Sequence, residues 1–271
     1  MNEKDKTYVV MGLLDSESLA YAIGRTIQHA GGRVIYTVQS ELLKRRYIDS
    51  SRRMSAEEKA ALDCRFCDVT VEEQVRAVFE NAGPLAGVVH SLAYANPKTC
   101  LGEEFHTTAT GDIEKSYHIS CVSLATVARY AVPQMAGGGS IVALSFDTRH
   151  AYPLYNWMGI HKAALEALVR ALARRHGRDL VRINGVSAGP LATTAASKIP
   201  DFETIGRIWL QTSPLPWDPV NDKQAVANAV AFLLSPLANR ITGQILAVDG
   251  GAAIMGGPLM DFEKRPGESR P

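Results

Sequence analysis

Short apolar runs rich in β-branched residues recur along the chain, separated by stretches whose apolar residues return every three or four positions. The runs are typical of buried strands and the periodic stretches of amphipathic helices. The predicted strands are TYVVM, RVIYTV, LDCRFCDV, AGVVHS, GSIVALS, VRINGVS and QILAVDG. The predicted helices are SLAYAIGRTIQHA, VEEQVRAVFENA, DIEKSYHISCVSLATVARYAVPQM, MGIHKAALEALVRALARRHG and KQAVANAVAFLLSP. Seven strands with intervening helices predict an α/β fold with a doubly wound parallel sheet.

Length and composition indicate one domain. The 271 residues are 46% hydrophobic and 21% charged, which suits one large core better than two small ones. We expect residues 1–260 to form this domain and the charged segment 261–271 to be a flexible tail. A polar helical insertion, SSRRMSAEEKAALD, follows the second strand, and a long excursion, TTAASKIPDFETIGRIWLQTSPLPWDP, precedes the last helix.

The charge balance argues against two classes of partner. A net charge of +1 gives no global field that favours nucleic acid or an anionic membrane. The polar start from Met1 to Lys6 is unlike a targeting peptide, and no apolar run reaches the length of a membrane span. The sequence therefore predicts a cytoplasmic protein.

The four cysteines do not form a recognisable framework of disulfides. Cys64 and Cys67 have the C-x-x-C spacing, but strand positions three apart point to opposite faces of a sheet. We therefore expect ordinary core cysteines and no metal site.

The first strand runs into a turn that can bind an anion. Gly12 permits a tight turn, and Ser18 is placed as the N-cap of a helix whose Leu19, Ile23 and Ile27 face inward. Free N–H groups at such a helix start favour a pyrophosphate, as in Rossmann-like domains. The usual glycine-rich pattern is missing, and an ordinary strand-turn-helix explains the segment as well.

Acidic residues near this turn complicate a dinucleotide site. Asp15 and Glu17 put negative charge beside the expected phosphates, so both should point outward if a dinucleotide binds.

The following strand ends offer further ligand groups for such a cofactor. Gln39, just past the second strand, can bind ribose hydroxyls and gives no charge for a 2'-phosphate, which favours NADH and disfavours NADPH only moderately. Asp68 can accept a hydrogen bond from adenine, and Val69 supplies backbone contact. The fourth strand ends in Ser91, Leu92 and Ala93, where open α/β sheets bind ligands.

Tyr155 and Lys162 form the main catalytic candidate. They stand seven positions apart, which on a helix leaves them about 20° off one line. Leu165, Val169 and Leu172 continue the same stripe, so Lys162 lies on the buried face. A core tyrosine with a lysine that extends to the surface explains the pattern equally well. Tyr94 and Lys98 have the four-residue spacing of common reductases, but Pro97 between them argues against a shared helix.

Together these motifs resemble the enoyl-acyl-carrier-protein reductases, a divergent branch of the short-chain dehydrogenase/reductase superfamily. The similarity extends from Gly12 through VVHSLAYA, YNWMGIHKAALEA and SAGPLATTAASKI to ITGQILAVDGG, and Tyr155 and Lys162 match the family pattern Tyr-x6-Lys. Phe146 stands where the bacterial type carries another tyrosine, as in the mycobacterial long-chain enzyme, and we group it with the catalytic residues. Ala93 replaces the usual glycine, and His161 beside the lysine is also unusual.

The resemblance implies hydride transfer from NADH to the trans-2 double bond of an enoyl thioester in fatty acid biosynthesis. Tyr155 would donate a hydrogen bond to the thioester carbonyl, and Lys162 would hold the nicotinamide ribose. The wider spacing weakens coupling between phenol and ammonium, which suits enoyl better than ketone reduction.

Further residues follow from the resemblance. Residues 194–215 would form a mobile substrate lid, although simple packing of an amphipathic segment explains it as well. The cofactor residues would be Gly12, Ser18, Leu19, Gln39, Asp68, Val69, Ser91, Leu92, Ala93, Lys162, Gly189, Pro190, Leu191, Thr193 and Ala195. The substrate residues would be Ala95, Tyr155, Ile199, Phe202 and Ile205.

The family also implies a substrate carried by acyl carrier protein and a homotetramer built on the helices that start near Asp112 and Tyr155. Two other functions stay open at this point: a related reductase of ketones or of a specialised-metabolite enoyl substrate, and an inactive NAD(H)-binding regulator.

Overall fold

The computed structural model describes residues 4–260. A seven-stranded, wholly parallel sheet forms its centre, with the strands in the order β3-β2-β1-β4-β5-β6-β7. The strands are β1 (Thr7–Met11), β2 (Arg33–Val38), β3 (Asp63–Phe66), β4 (Gly87–His90), β5 (Gly139–Ser145), β6 (Val181–Ala188) and β7 (Ile245–Val248). The predicted doubly wound, Rossmann-like sheet is confirmed, and the predicted tail 261–271 lies outside the described residues.

Helices cover both faces of the sheet. They are α1 (Leu19–His29), α2 (Glu41–Lys44), α3 (Ala56–Ala60), α4 (Glu72–Glu80), α5 (Thr110–Tyr117), α6 (Ser123–Ala131), α7 (Asn156–His176), α8 (Phe202–Thr212) and α9 (Lys223–Leu234). No helix among residues 4–260 combines the length and apolar character needed to cross a membrane.

Alternating side chains divide the core into two clusters, one on each face of the sheet. Tyr8 and Val10 pack with α1, α8 and α9, whereas Val9 and Met11 of the same strand pack with α4, α6 and α7. This is the period of two that a fully buried strand imposes. Cys64 belongs to the first cluster, and Cys67, which follows β3, belongs to the second. The expected opposite orientation of these two thiols is confirmed.

Two segments of the chain differ from expectation. The long stretch 112–135 is divided by a π-helical turn at His118–Val122, which separates α5 from α6. The excursion before the last helix contains a helix of its own, α8, whose Ile205 and Trp209 are buried.

The sheet reverses its direction of growth between β1 and β4. Crossover connections run outward in opposite directions from this point, so the loops that follow these two strands diverge and leave a crevice at their carboxyl ends. Gly12 follows β1 and Ser91 follows β4, which places both at the crevice.

Candidate active site

A cavity of about 660 Å³ occupies the crevice at the carboxyl ends of the strands. Its lining begins at the turn after β1, passes the ends of β2, β3 and β4, and reaches the start of α7 and the loop after β6. The sequence-predicted residues that line it are Gly12, Ser18, Leu19, Gln39, Asp68, Val69, Ser91, Leu92, Ala93, Ala95, Phe146, Tyr155, Lys162, Gly189, Leu191, Thr193, Ala195 and Ile199.

The turn after β1 accepts only glycine at position 12. Its φ is +88°, and a Cβ built there would lie 2.1 Å from the backbone oxygen of Ser91. Because the obstacle is backbone, a side chain at this position would push apart the two strand ends that bound the crevice. The prediction of a tight glycine turn is confirmed.

Ser18 occupies the N-cap position of α1 but does not cap it. Its hydroxyl donates to the carbonyl of Asp15, at 2.6 Å, and accepts no hydrogen bond from the helix. The first N–H groups of α1 therefore keep the anion-binding character expected of an uncapped helix start.

The two acidic residues of this turn have different positions. Glu17 points away from the cavity and pairs with Lys223 at 2.8 Å and Arg53 at 3.6 Å, which confirms the expected outward orientation. Asp15 lines the cavity, so the same expectation is wrong for Asp15. Its carboxylate accepts the backbone N–H of Glu17 and the hydroxyl of Thr194, and these contacts turn it toward the loop after β6.

Gln39 and Asp68 are connected across the ends of β2 and β3. Gln39 Nε2 donates to Asp68 Oδ2 at 3.0 Å, and Asp68 Oδ1 accepts the hydroxyl of Thr70 at 2.6 Å. Although partial burial opposes ionisation, the hydrogen bonds from Thr70 and Gln39 hold the pKa of Asp68 below its usual range. The pair presents a fixed polar edge at this end of the cavity.

Tyr155 lies at the N-cap of α7, with its ring against Phe146. The two ring centroids are 4.5 Å apart, and Phe146 also contacts Trp209 at 5.1 Å. Burial raises the pKa of the Tyr155 hydroxyl, because the surroundings disfavour a phenolate. The site therefore holds a neutral phenol in a fixed orientation.

Lys162 is buried two turns further along α7. Its ammonium donates to the carbonyl of Leu144 at 2.7 Å and to that of Leu92 at 3.3 Å, which bridges the ends of β5 and β4. Burial lowers the pKa of Lys162 to about 8. The alternative of a lysine that extends to the surface is therefore wrong, since the charged end lies inside the protein.

A carboxylate next to this pair fixes the loop between β5 and α7. Glu166 accepts the hydroxyls of Ser145 at 2.7 Å and Thr148 at 2.8 Å. The loop is held a second time at Asp147, which accepts the hydroxyl of Tyr152 at 2.8 Å. These contacts set the start of α7 and with it the position of Tyr155.

Three predicted residues do not line the cavity. Pro190 is buried and its carbonyl accepts the indole N–H of Trp217, at 2.8 Å. Ile205 is 1% exposed and belongs to the core, and Phe202 packs against the same cluster. For these two residues, packing of an amphipathic helix describes the structure better than contact with an acyl chain.

The structure adds lining residues that sequence reasoning missed. Met158 is buried one turn after Tyr155 on the same helical face, a spacing that could have revealed it. Tyr94 also lines the cavity. The ammonium of Lys115 lies 5.4 Å from the centre of the Tyr94 ring. Lys115, Ile119 and Leu101 come from segments distant in sequence, and no local pattern marks them.

Comparison with known proteins identifies the architecture. The family model described as enoyl-(acyl carrier protein) reductase matches residues 12–253. The chain belongs to the enoyl-acyl-carrier-protein reductase family. The family expected from Tyr155 and Lys162 is therefore confirmed.

Named relatives of the reductase family cover almost the whole chain. The NADH-type FabI of Bacillus cereus is 36% identical over 256 residues, 93% of this chain and 98% of its own length. The NADH-type FabI of Neisseria meningitidis is 37% identical over 257 residues, 92% of this chain and 95% of its own. The FabI of Staphylococcus aureus, which is named as NADPH-dependent, is 33% identical over 93% of this chain and 98% of its own length.

Solved reductase structures share the fold throughout. The crystal structure of the Bacillus cereus enzyme with NADP+ and an indole naphthyridinone superimposes with a TM-score of 0.85 at 35% identity, and covers 94% of this chain and 100% of its own. FabI from Candidatus Liberibacter asiaticus gives a TM-score of 0.85 at 27% identity, over 96% of this chain and 100% of its own.

Proposed function

We propose that this protein reduces the trans-2 double bond of enoyl thioesters with NADH, as a step of fatty acid biosynthesis. The observation that carries the proposal is the meeting of Tyr155 and Lys162 in one cavity with the glycine turn after β1. A hydrogen-bond donor for the substrate, a cation for the cofactor and an anion-binding helix start are thereby combined in a single crevice.

The shape of the crevice fits a nicotinamide dinucleotide. Gly12 lets the ends of β1 and β4 approach closely, and the uncapped start of α1 beside this turn offers the free N–H groups that a pyrophosphate needs. We assign Gln39, Asp68 and Val69 to the adenosine end and Ser91, Leu92 and Ala93 to the middle of the cofactor. We assign Gly189, Leu191, Thr193 and Ala195 to the nicotinamide and pyrophosphate side. When bound, the reduced cofactor supplies the hydride.

Tyr155 stabilises the charge that the substrate develops. As hydride reaches Cβ of an enoyl thioester, negative charge moves to the carbonyl oxygen and forms an enolate, which takes up a proton from solvent at Cα to complete the reduction. A neutral phenol, which burial favours at Tyr155, donates a hydrogen bond to that oxygen. Phe146 holds the phenol from one side and prevents it from turning away.

Lys162 positions the cofactor. The two carbonyls that its ammonium already contacts fix it at the ends of β4 and β5, and its remaining donor capacity is available for the nicotinamide ribose hydroxyls. In this arrangement Lys162 orients the cofactor, while Tyr155 acts on the substrate carbonyl.

We infer a preference for NADH from the residues after β2. Lys44 pairs with Asp49 at 2.6 Å and Arg45 with Glu41 at 2.5 Å, while Arg46 lies 5.4 Å from the ring centre of Tyr47. Each of the three cations already has a partner, so a 2'-phosphate would have to compete for it. Gln39 itself adds no charge at the ribose.

We place the acyl group at the other end of the cavity, where Ala95, Ile199 and Tyr155 line it together with Met158. Residues 194–215 are the proposed lid, and the carrier of the thioester is acyl carrier protein. The cytoplasm is the proposed location.

We propose a homotetramer assembled through α5 and α7. These helices carry exposed apolar side chains: Tyr117 and Val122 on α5 and the π-helical turn, and Ile160 on α7. Ala163, Ala167 and Ala171 continue the exposed stripe of α7. Light scattering after size-exclusion chromatography tests this assembly, and a monomer at micromolar concentration would contradict it.

Substrate-dependent oxidation of NADH tests the activity. We expect turnover with crotonyl and longer trans-2-enoyl thioesters, presented on acyl carrier protein and on coenzyme A, and none with a panel of ketones. Turnover of the ketones alone would refute the proposal in favour of a related reductase.

Replacing Tyr155→Phe tests the mechanism. Removing the hydrogen bond to the developing enolate should lower kcat about 100-fold and leave the dissociation constant of NADH unchanged. Tyr94→Phe is the matched control, since it removes a second cavity hydroxyl that has no role in the mechanism. If the wild type and Tyr155→Phe bind NADH equally and neither reduces any enoyl thioester, the protein is instead an NAD(H)-binding regulator.

A further inference from the structure

A hydrogen bond joins the turn after β1 to the loop after β6. The hydroxyl of Thr194 donates to Oδ2 of Asp15, and Oδ1 of Asp15 accepts the backbone N–H of Glu17 at 3.0 Å. Both carboxylate oxygens are therefore engaged, and the side chain has a fixed orientation. Asp15 lines the cavity at the turn where α1 begins.

Thr194 belongs to a short segment, residues 193–199, that we call the strap. Its centre is a 3-10 turn at Ala196–Lys198, closed by the N–H of Ala196 on the hydroxyl of Thr193 at 3.0 Å. At its far end the ammonium of Lys198 lies 5.9 Å from the ring centre of Tyr47, in the segment after β2. The strap thus connects the β1 turn to the β2 loop on one side of the cavity.

The negative charge of Asp15 opposes binding of the cofactor's pyrophosphate, next to which the strap lies. The lining contains two acidic residues among those described, and Asp68 is at the adenosine end with Gln39. Its cations are Lys115, Lys162 and Lys198. Asp15 lies beside the start of α1, where a pyrophosphate would bind. Its carboxylate and the pyrophosphate are both negatively charged and would repel each other.

The hydrogen bond and the charge are separable chemically. The oxygen of an asparagine can accept from Glu17 and its amide nitrogen can donate to the hydroxyl of Thr194, but the side chain carries no charge. The contact with Thr194 and the charge of Asp15 can therefore be varied separately.

We propose that Asp15 is a positioning residue with two opposed effects on cofactor binding. Its hydrogen bond to Thr194 holds the strap against the pyrophosphate part of the cavity, and its negative charge weakens binding of the cofactor's pyrophosphate. The inference rests on the proposed function for the identity of the cofactor.

Three variants of the full-length protein separate the two effects. Asp15→Asn removes the charge and can keep both contacts, with its oxygen accepting from Glu17 and its amide nitrogen donating to the hydroxyl of Thr194. Thr194→Val removes the hydroxyl and keeps the charge, and Thr194→Ser restores the hydroxyl. Glu80→Gln, on the exposed side of α4, controls for the loss of a negative charge elsewhere. The dissociation constant of NADH is measured by fluorescence at low and high salt, with hydrogen exchange of the strap amides.

The two main variants should change NADH binding in opposite directions. We expect Asp15→Asn to bind NADH about tenfold more tightly, with a smaller gain at high salt, and to leave strap exchange unchanged. Thr194→Val should bind about fivefold more weakly and exchange its strap amides faster. Thr194→Ser and Glu80→Gln should match the wild type. The KM for NADH should follow these directions.

Asp15→Asn binding no tighter than the wild type would overturn the electrostatic part. Unchanged exchange and binding in Thr194→Val would overturn the strap. If the wild type reduced no enoyl thioester while the variants moved NADH binding as described, the proposed function would fail and the role of Asp15 would stand.

Discussion

Replacing Gly12→Ala should disrupt both the fold and the cofactor site. The residue has φ +88°, which costs an L-residue roughly 1–2 kcal/mol. The added Cβ would lie 2.1 Å from the carbonyl oxygen of Ser91 and must retreat by 0.9 Å to reach the 3.0 Å limit of real contacts. Forcing backbone apart in a packed core adds about 2–3 kcal/mol. We therefore expect the free energy of unfolding to fall by about 3–5 kcal/mol.

The cofactor should be lost along with stability. Moving the glycine turn by about 1 Å misaligns the start of α1 against the pyrophosphate, so NADH binding should weaken at least about 100-fold. Urea denaturation followed by circular dichroism measures the loss of stability. NADH fluorescence, measured without urea on the folded variant, gives the loss of NADH binding.

Gly83→Ala is the matched control for this experiment. Gly83 also has a positive φ, +75°, but a Cβ there meets no atom within 4 Å. It should lose only the conformational cost, about 1–2 kcal/mol, and bind NADH normally. If Gly12→Ala were as stable as Gly83→Ala and bound NADH as the wild type does, the close approach of Gly12 to Ser91 would not be what shapes the site.

Three further predictions follow from the charges. Burial lowers the pKa of Lys162 to about 8, so its charge is lost as pH rises through that value. The dissociation constant of NADH should therefore rise near this pH in the wild type and stay constant in Lys162→Met. A wild-type dissociation constant that does not change with pH would contradict the role of Lys162. Burial lowers the pKa of His90 to about 3 and of His161 to about 4, so the unfolded chain binds more protons below about pH 6.5. Unfolding free energy should fall by about 2 kcal/mol per histidine between about pH 6.5 and pH 5, and His161→Gln should remove half of that slope; equal slopes in both proteins would reject the explanation. Gln39→Arg adds a cation next to the 2'-phosphate, so the ratio of kcat/KM for NADH to kcat/KM for NADPH should fall at least about tenfold. An unchanged ratio would show that Gln39 does not set the cofactor preference.

The reductase fold is determined locally to a large extent. The apolar runs of β2 and β5 coincide with the strands themselves, because a strand buried on both faces needs an uninterrupted apolar sequence. Gly12, Tyr155 and Lys162 were identifiable because a positive φ, a helix period and a buried charge each leave a mark in the sequence. The break at His118–Val122 was not, since a π-helical turn preserves helical composition.

The interior of the cavity depended on tertiary structure. Ile199 and Ile205 are the same residue type six positions apart, yet Ile205 is buried in the core from α8, whereas Ile199 lines the cavity from the end of the strap. The same holds for Asp15, for which charge alone predicts an outward orientation. Its partner, Thr194, lies 179 positions away in the chain, and only the folded sheet brings the two loops together. The sequence by itself determined the seven strands, the glycine turn and the Tyr-x6-Lys pair, since these depend on local geometry. Which side chains line the cavity depends on contacts between the ends of distant strands, and only the tertiary structure decided these contacts.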